Sequence, residues 1–535
     1  MKNTKNKGIM LFISIILLFV PLVFTTVYCL FDGKNIFDVS LLNSGWNDEL
    51  FYYKLTENVV NNGYPRGYFG FNESHAKVLS FAAWSPLLLI QWVLWGIIFG
   101  WNMLSPFLSN IVTVGIALFL FGMFAKPSKK QAAEIIVLLA AFRPFCRFLL
   151  SCLPEAEIFA LMILYMGFAV QSYKKAIEEK GKFVSSIVGM YIVTALMTWM
   201  RPYLILFLIL PSIELGVFVF RKHRVARSFI TAVCVALPIM AVYLLISKFL
   251  SAPYLQDLFY TDWLRAYREG IGYGLSYTIQ KLGKSLWTVF YLIRSVFEDE
   301  VFHAGGLYYL IFFGMIIILL FCFIYDVTRK EKSRELMWSI ILEGQLLFAM
   351  LSFLFADLLM YRIQEGGRHT FVFVVGFILL IPMIRVSGKE QRGVLVPVVS
   401  IVTAVYMILV LFVLENSPYE FAVPYKEKEA IEEYEKLAET LGANMRVDDS
   451  EKLSYENTII WNYGEDYSDF IYYYAVPSGI GINLCVEDYL SLNIDNLNSR
   501  YIGTSKENLI YGLCEDAGFE VIAETDKYAF YKRPY

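Results

Sequence analysis

Long apolar stretches alternate with short polar links along the first 414 residues of the chain. A membrane hydrocarbon core of about 30 Å takes roughly 20 residues of helix to cross, and most of the stretches approach that length. The pattern therefore predicts a polytopic α-helical membrane protein with about 11 spans. The predicted spans are 9–30, 103–125, 131–150, 156–171, 184–200, 203–220, 228–249, 307–325, 336–356, 370–385 and 394–414.

After residue 414 the pattern becomes that of a water-soluble segment. "PYKEKEAIEEYEKLAETLGA" predicts a charged helix that ends at Gly442. "ENTIIWNY" and "IGINLCV" predict strands, and the last 30 residues predict a helix, a strand, a turn and a final strand. We therefore divide the chain into a membrane domain, 1–414, and a small α/β domain, 415–535.

Two apolar segments do not fit a simple span. The segment 83–101 would reverse every later basic loop if it crossed the membrane, so we interpret it as an interfacial or re-entrant helix. Its tryptophans are then expected at the level of the lipid headgroups: Trp84, Trp92, Trp95 and Trp101. The loop 250–306 mixes aromatic and basic residues at helical spacing. It predicts an amphipathic helix along the outer surface, either a plain interfacial helix or a cover over a site.

Composition and charge support this organisation. The chain is 57% hydrophobic and 17% aromatic, with a mean hydropathy of +0.53, values that exclude an ordinary soluble domain. Basic residues cluster in alternate links, namely 1–7, 126–130, 172–182, 221–227, 326–335 and 386–393. The positive-inside rule assigns these links to the cytoplasm of a multi-pass cell-membrane protein. The N-terminus is then cytoplasmic, and the strongly acidic C-terminal domain is extracytoplasmic. The membrane domain then has two long external loops, 31–102 and 250–306.

Several chemistries lack a motif in the sequence. No phosphate-binding loop or nucleotide fingerprint occurs, which argues against an ATP-driven pump and against a sugar-nucleotide donor. No feature predicts binding to nucleic acid. The seven cysteines have no metal-binding spacing, although Cys485 and Cys514 could pair on an oxidising side.

Ionisable residues collect on the predicted outer side, at or near the ends of spans, where burial near hydrocarbon makes charge costly and often functional. They are Asp48, Glu49, Glu155, Glu157, Arg201, Arg362, Glu365, Arg368 and His369. One carboxylate can remove a proton from an attacking hydroxyl, and one arginine can hold a departing phosphate. These two groups suffice for a single inverting displacement, whereas a glycosidase needs two carboxylates. Aromatic side chains suit the packing of sugars and prenyl chains.

Five motifs resemble, in order and spacing over roughly the first 390 residues, the GT-C clan of membrane glycosyltransferases. They especially resemble the branch that contains the protein O-mannosyltransferases and the aminoarabinose transferase of lipid A. The motifs are "WNDELFYY", "SPLLLIQWVLWGIIFGWN", "LPEAEIFALMIL", "TWMRPYLILFLILP" and "EGGRHTFVFVVGFILLIP". In the last of these, His369 stands where the family usually has tyrosine.

The resemblance implies a GT-C-like architecture and a glycosyltransferase activity that uses a polyprenyl-phosphate-linked sugar. It makes Asp48 the general base and Glu49 its support. Glu155 or Glu157 would bind the acceptor, and Arg201, Arg368 and His369 would bind the donor phosphate. Some members of the clan need a divalent cation such as Mg²⁺ or Mn²⁺, for which Asp48, Glu49 and Glu155 are the candidate ligands. The acceptor is a glycan, a lipid or a protein.

Other interpretations stay open at this stage. Asp48 could simply cap a helix that begins at that residue. The whole chain could be a transporter or flippase of lipid-linked glycans, although charges at mid-membrane in two related halves would then be expected. A polymerase or ligase of lipid-linked glycans, or a membrane anchor for the C-terminal domain, completes the alternatives.

Overall fold

The computed structural model describes residues 2–80, 85–177, 184–218, 224–252, 261–298, 304–330, 333–361, 363, 367–385, 392–413, 423–451, 453–463 and 467–534. The described residues up to position 413 are mostly helical. The described residues after it contain most of a β-sheet. The predicted class, a polytopic helical protein with a C-terminal α/β domain, is confirmed. The predicted residues Trp84, Arg362 and Glu365 lie outside the described residues.

The helices of the membrane part are numbered in chain order. They are α1 (Lys2–Phe31), α2 (Asn47–Asn62), α3 (Ile90–Phe99), α4 (Ser105–Ala125), α5 (Lys129–Ala141), α6 (Arg143–Leu149), α7 (Glu155–Ile177), α8 (Val184–Met200), α9 (Ile209–Phe218), α10 (Arg224–Leu250), α11 (Asp262–Ala266), α12 (Ile271–Ser295), α13 (Ala304–Thr328), α14 (Arg334–Met360), α15 (Phe371–Arg385) and α16 (Arg392–Ile408).

Seven helical segments among the described residues are long and apolar enough to cross a membrane. They are Lys7–Phe31, Ser105–Ala125, Glu155–Ile177, Ala226–Leu250, Gly305–Thr328, Arg334–Met360 and Gly367–Ile384. Four shorter apolar helices accompany them: Pro86–Phe99, Val184–Met200, Pro202–Gly216 and Val398–Phe412. The chain is therefore a multi-pass membrane protein.

The predicted span 131–150 is not one helix. It divides into α5 and α6, which meet at Phe142. Pro144 lies in the first turn of α6, where its missing N–H costs nothing, but it could not continue α5 without losing a backbone hydrogen bond. The division places Arg147 and the corner 150–154 near the start of α7, at one end of the bundle.

Close helix packing builds the centre of the bundle. Helix α4 packs on α1 and α7, and a Cβ atom at Gly115 would lie 2.7 Å from the carbonyl oxygen of Leu18. Small residues allow this approach, as is common between membrane helices. Helix α15 lies deepest in the bundle, since 94% of the segment Gly367–Ile384 is buried. The helix that carries Arg368 at its entrance is thus held on all sides.

Helix α12 matches the amphipathic helix predicted in the loop 250–306. Its inner residues, such as Val289 and Leu292, pack against α13 and α14. Its outer face exposes large apolar side chains, including Ile279, Trp287 and Phe290.

The C-terminal part contains three helices, α17 (Lys428–Asn444), α18 (Glu487–Asn493) and α19 (Leu509–Asp516). The strands are β1 (Tyr68–Phe71), β2 (Lys77–Val78), β3 (Thr458–Tyr463), β4 (Gly481–Val486), β5 (Tyr501–Ser505), β6 (Glu520–Glu524) and β7 (Tyr528–Lys532). They form one sheet in the order β2-β1-β4-β3-β5-β7-β6. Strands β1, β4, β3 and β5 run parallel, and β7 runs antiparallel to β5 and β6.

This sheet joins the predicted first external loop, 31–102, to the C-terminal domain. Gly70 of β1 pairs with Asn483 of β4. Gly67, just before β1, has a positive φ of 76°, and a Cβ there would collide with the carbonyl of Asn457. The buried carboxylate of Glu73 accepts hydrogen bonds from the backbone and side chains of Asn498 and Ser499. The domain boundary at residue 414 stays a prediction. Two strands of the sheet, β1 and β2, precede that residue in the chain.

Two details of the sequence analysis are wrong in the structure. Cys485 and Cys514 do not pair; both are free and buried, where they pack in one apolar cluster. Trp92 does not lie at a headgroup surface. Its ring is fully buried, and its indole N–H donates to Asn110 on α4, 2.9 Å away. The amide of Asn110 offers that N–H a partner inside the protein, which the hydropathy of the segment does not reveal.

Candidate active site

The first turn of α2 carries both acids of the "NDE" motif. The helix begins at Asn47, and its N-cap residue, Trp46, makes no side-chain capping bond. Asp48 is therefore inside the helix and not its cap, which contradicts the capping interpretation. Acids in a first turn favour the positive end of the helix dipole. That general effect leaves the Asp48 carboxylate available for a partner from elsewhere.

An aromatic and cationic contact fixes the start of α2. The Trp46 ring stacks on Phe148, with centroids 5.5 Å apart and planes inclined by 13°. The guanidinium of Arg147 lies 4.0 Å from the centroid of the same ring. Both partners belong to α6, and cation–π contact of a desolvated arginine with tryptophan is strongly stabilising. The contact ties α2 to the helix that precedes the corner 150–154.

Glu49 is fully buried beside this contact. Its Oε1 accepts the backbone N–H of Cys152 at 2.8 Å, and its Oε2 accepts the hydroxyl of Ser44. Burial raises the pKa of Glu49 to about 7, opposed by the nearby charge of Arg147 and by the Cys152 amide. Glu49 thus links α2 to the corner, and the structure provides no contact through which it would hold Asp48.

Four charged side chains form what we call the acid–arginine row: Asp48, Arg368, Glu155 and Arg201. Asp48 Oδ2 lies 2.6 Å from Arg368 Nη2. Arg368 Nε is 3.7 Å from Glu155 Oε1, and the same oxygen is 2.9 Å from Arg201 Nη2. Arg201 also contacts the imidazole of His369. Alternating signs let four ionised groups share one small, partly dry volume.

The row runs from the surface into the protein. The exposed fractions of the side chains fall from 42% at Asp48 and 26% at Arg368 to 4% at Glu155 and 2% at Arg201. Glu155 begins α7, Arg201 follows the end of α8, and Arg368 precedes α15, so all lie at one end of the bundle. This is also the end that carries the sheet. The accessible pair, Asp48 and Arg368, can accept a proton and bind an anionic oxygen.

Aromatic side chains line the row. Tyr52 lies one turn after Asp48, and burial raises the pKa of its hydroxyl above its ordinary value, so the group is neutral. The ring of Tyr203 lies 5.8 Å from that of His369 and 4.7 Å from that of Phe353. These walls limit the water around the buried half of the row.

The structure separates the two candidate acids of α7. Glu155 joins the row, whereas Glu157 is buried outside it and its Oε2 has no hydrogen-bond partner among the described residues. Arg201 lies behind Arg368, held by Glu155 and His369, so of the two arginines Arg368 is the accessible one. The roles assigned to these residues remain predictions.

The candidate ligands for a divalent cation do not converge. Asp48 faces Arg368, Glu49 accepts from Ser44 and Cys152, and Glu155 faces two arginines. Within the described part of the chain, no group of three or more histidine, cysteine or acidic side chains could hold a metal ion. The arrangement of these three acids therefore does not fit a metal centre.

Two supporting residues were missed from the sequence, Arg147 and Asn110. Asn110 accepts from Gln91 and Trp92 and donates to the carbonyl of Ser151, 2.8 Å away. It thereby fixes both α3 and the corner before Glu155. A lone asparagine within an apolar span was a signal that could have identified it, because an unsatisfied polar group in hydrocarbon is costly.

Fold and site together define a multi-pass membrane protein with an acid–arginine row where an extramembrane sheet meets the helix ends. No protein-family model matches the sequence, and no curated protein matches it. Solved structures do match. An oligosaccharyltransferase from Archaeoglobus fulgidus in the apo form is 12% identical, over 93% of this chain and 69% of that chain, with a TM-score of 0.47.

Two further matches are of the same kind. The oligosaccharyltransferase in complex with Zn and sulfate is 13% identical, over 93% and 68% of the chains, with a TM-score of 0.45. ArnT from Cupriavidus metallidurans bound to undecaprenyl phosphate is 10% identical, over 96% and 97%, with a TM-score of 0.42. These proteins are GT-C glycosyltransferases, the clan that the sequence motifs resemble. At such identities the likeness concerns the fold and assigns no substrate or residue role.

Proposed function

We propose that the chain is an inverting glycosyltransferase of the cell envelope. It moves a hexosyl or pentosyl group from a polyprenyl-phosphate-linked donor to an acceptor on the outer face of the membrane. The observation that carries the proposal is the contact between Asp48 and Arg368, an accessible carboxylate beside an accessible guanidinium at the membrane end of a helix bundle. Such a pair supplies the proton acceptor and the phosphate ligand that one displacement needs.

In this mechanism the acceptor hydroxyl attacks the anomeric carbon of the donor sugar. The new bond joins the acceptor oxygen to that carbon, while the bond from the carbon to the phosphate oxygen breaks. Asp48 takes the hydroxyl proton. The electron pair of the broken bond stays with the polyprenyl phosphate, and Arg368 stabilises its added charge. No second carboxylic acid is required, because phosphate is a good leaving group.

The contact between Asp48 and Arg368 supports an order for this mechanism. Nη2 of Arg368 donates to Asp48 Oδ2 at 2.6 Å. A donor phosphate that binds the same guanidinium competes with Asp48 and frees its carboxylate. Glu155 and Arg201 hold the buried side of Arg368 during the exchange. The base would thus become available only when the donor is bound.

The outer location follows from the charge of the polar links. Their lysine and arginine clusters favour a cytoplasmic N-terminus. The row lies at the end of the bundle where the first external loop joins the sheet. An outward C-terminal domain therefore implies an outward site, next to lipid-linked donors.

The test compares transfer by the wild type and by Asp48→Asn in membranes. Each is given a panel of radiolabelled polyprenyl-phosphate sugars, and label is followed into any acceptor in a lysate of the source cell. We expect a loss of transfer of at least 10²-fold in Asp48→Asn, the usual contribution of a general base. The matched control is Asp449→Asn, an exposed acid that pairs with Arg66 at 3.0 Å in the extramembrane part.

Equal transfer by the wild type and Asp48→Asn, at equal protein level, would contradict the role of Asp48. If the wild type transfers no sugar from any donor, the proposal of a transferase fails. Translocation of the same lipids across vesicles would then test the alternative of a transporter or flippase, and chain growth on a lipid-linked glycan would test a polymerase.

A further inference from the structure

Asp357, near the end of α14, is a buried carboxyl group outside the acid–arginine row. Its side chain is fully buried. Its Oδ2 is hydrogen-bonded to the hydroxyl of Tyr309 on α13, and its Oδ1 has no hydrogen-bond partner in the part of the chain that the structure describes. Among the described residues, Tyr309 is the one side chain that bonds this carboxyl group. An ionised carboxylate in such surroundings would be very costly.

The hydrogen bonds around Tyr309 require one more proton than its hydroxyl can supply. Tyr309 Oη also lies 3.3 Å from the carbonyl oxygen of Ile363, which accepts from it. Three oxygen atoms thus stand in line: Asp357 Oδ2, Tyr309 Oη and the oxygen of Ile363. Two hydrogen bonds in this line need two hydrogens. The carbonyl carries none and Tyr309 carries one, so two separate bonds take their second hydrogen from the carboxyl group.

These bonds hold Tyr361 and Ile363, which precede Arg368 in the chain. The backbone carbonyl of Asp357 accepts the N–H of Tyr361 at 3.1 Å, and its side chain reaches Ile363 through Tyr309. The neighbouring Tyr308 packs beside Gly367, directly before Arg368. A Cβ at Gly367 would lie 2.8 Å from the Tyr308 ring, and this ring packs edge-on against Phe371 at 4.7 Å.

We propose that Asp357 is a neutral carboxylic acid and a positioning residue for Arg368. Its proton completes the line from Asp357 through Tyr309 to Ile363, and this line holds the entrance of α15. The consequence for sugar transfer rests on the proposed function, whereas the proton and the held segment do not. These hydrogen bonds require a neutral hydrogen-bond donor at position 357. The side-chain amide of asparagine can therefore replace the carboxylic acid.

The groups around Asp357 support a neutral acid. Among the described residues, three tyrosines lie within electrostatic range of Asp357: Tyr309, Tyr203 and Tyr361. Helix α12 adds the apolar side chains of Val289 and Leu292 to the same cluster. Arg201 and Arg368 form ion pairs with Glu155 and Asp48 of the acid–arginine row.

The experiment uses the purified full chain in detergent and three variants. Asp357→Asn keeps a neutral donor, Asp357→Ala removes it, and Tyr309→Phe breaks the line at its centre. The control is Tyr406→Phe, which removes a hydroxyl that donates to the carbonyl of Leu310 on the same helix, α13. Infrared difference spectra, wild type minus Asp357→Asn, detect the C=O stretch of a protonated carboxyl group. Amide hydrogen exchange of residues 367–371 reports how firmly the segment is held.

We expect the carboxylic acid band in the wild type at neutral pH. We also expect exchange at 367–371 to be about tenfold faster in Asp357→Ala and Tyr309→Phe, the effect of one lost buried hydrogen bond. Exchange in Asp357→Asn and Tyr406→Phe should match the wild type. Binding of undecaprenyl phosphate, the probe for Arg368, should weaken by a similar factor in Asp357→Ala and Tyr309→Phe alone.

Three results would overturn the proposal. The first is a carboxylate band in place of the acid band. The second is unchanged exchange in Asp357→Ala and Tyr309→Phe. The third is exchange in Asp357→Asn as fast as in Asp357→Ala. A wild type that binds no lipid phosphate would count against the proposed function, while the infrared and exchange results would still decide the role of Asp357.

Discussion

The buried acid Glu49 makes the stability of the protein depend on pH, and Glu49→Gln isolates the effect. Burial raises the pKa of Glu49 from 4.5 to about 7. Between these values the folded protein holds a proton that the unfolded chain has released. The protonated Glu49 therefore makes its full contribution to the free energy of unfolding below pH 4.5. This contribution is lost as the pH rises to 7 and above. The difference between 4.5 and 7, at 1.36 kcal/mol per pKa unit, amounts to about 3 kcal/mol.

Glutamine cannot ionise, so its stability should lack this decline. It keeps an oxygen for one of the two donors, Cys152 N–H or the Ser44 hydroxyl, and loses about 1 kcal/mol at every pH. The assay is chemical unfolding in detergent from pH 4.5 to 8, followed by circular dichroism. Relative to the wild type, Glu49→Gln should gain about 3 kcal/mol across that range.

Glu429→Gln is the matched control, because Glu429 is an exposed first-turn acid of an extramembrane helix. Its curve should stay parallel to that of the wild type. Parallel curves for Glu49→Gln would refute the reasoning, since they would mean that Glu49 keeps its ordinary pKa in spite of complete burial.

Two further predictions concern buried charge. Arg201→Met should lower the free energy of unfolding by about 3–5 kcal/mol, because it leaves Glu155 buried with Arg368 at 3.7 Å as its remaining ion-pair partner. Adding Glu155→Gln should recover much of that loss in the same unfolding assay, and a double variant less stable than Arg201→Met would contradict this account. Glu73→Gln should weaken the attachment of the first external loop to the sheet by about 2–3 kcal/mol, since a carboxylate that accepts several hydrogen bonds becomes an amide. Limited proteolysis at 72–80 should then become faster, while Glu451→Gln, an exposed neighbour in the same part, should leave the rate unchanged.

Local patterns predicted much of the fold. Apolar length identified the long spans, and helical spacing identified α12 and α17. Alternation identified β3, β4, β6 and β7. Strand β1, "YFGF", is four residues long and gains its structure from pairing with β4, more than 400 residues away, so no local pattern could reveal it.

The sequence predicted which residues form the candidate site, but it did not predict the contacts between them. The residue types and their places at span ends pointed to Asp48, Glu155, Arg201 and Arg368, which the fold brings together. The sequence could not show that Arg201 lies behind Arg368, or that Glu49 turns away from Asp48 to Cys152. Such contacts depend on where helices far apart in the chain end in space, which periodicity does not encode.

The shared sheet has a consequence for how the chain is made. Gly70 of β1 cannot pair until Asn483 of β4 has been synthesised. At a translation rate of roughly 5–20 residues per second, roughly 20–80 s pass before β1 can pair with β4, although β2 of the same loop is made at once. The helix that carries Asp48 lies in that loop, between α1 and β1. A nascent chain therefore has its membrane helices long before its first loop can pair in the sheet, and any truncated product lacking β4 would leave that loop open to proteases.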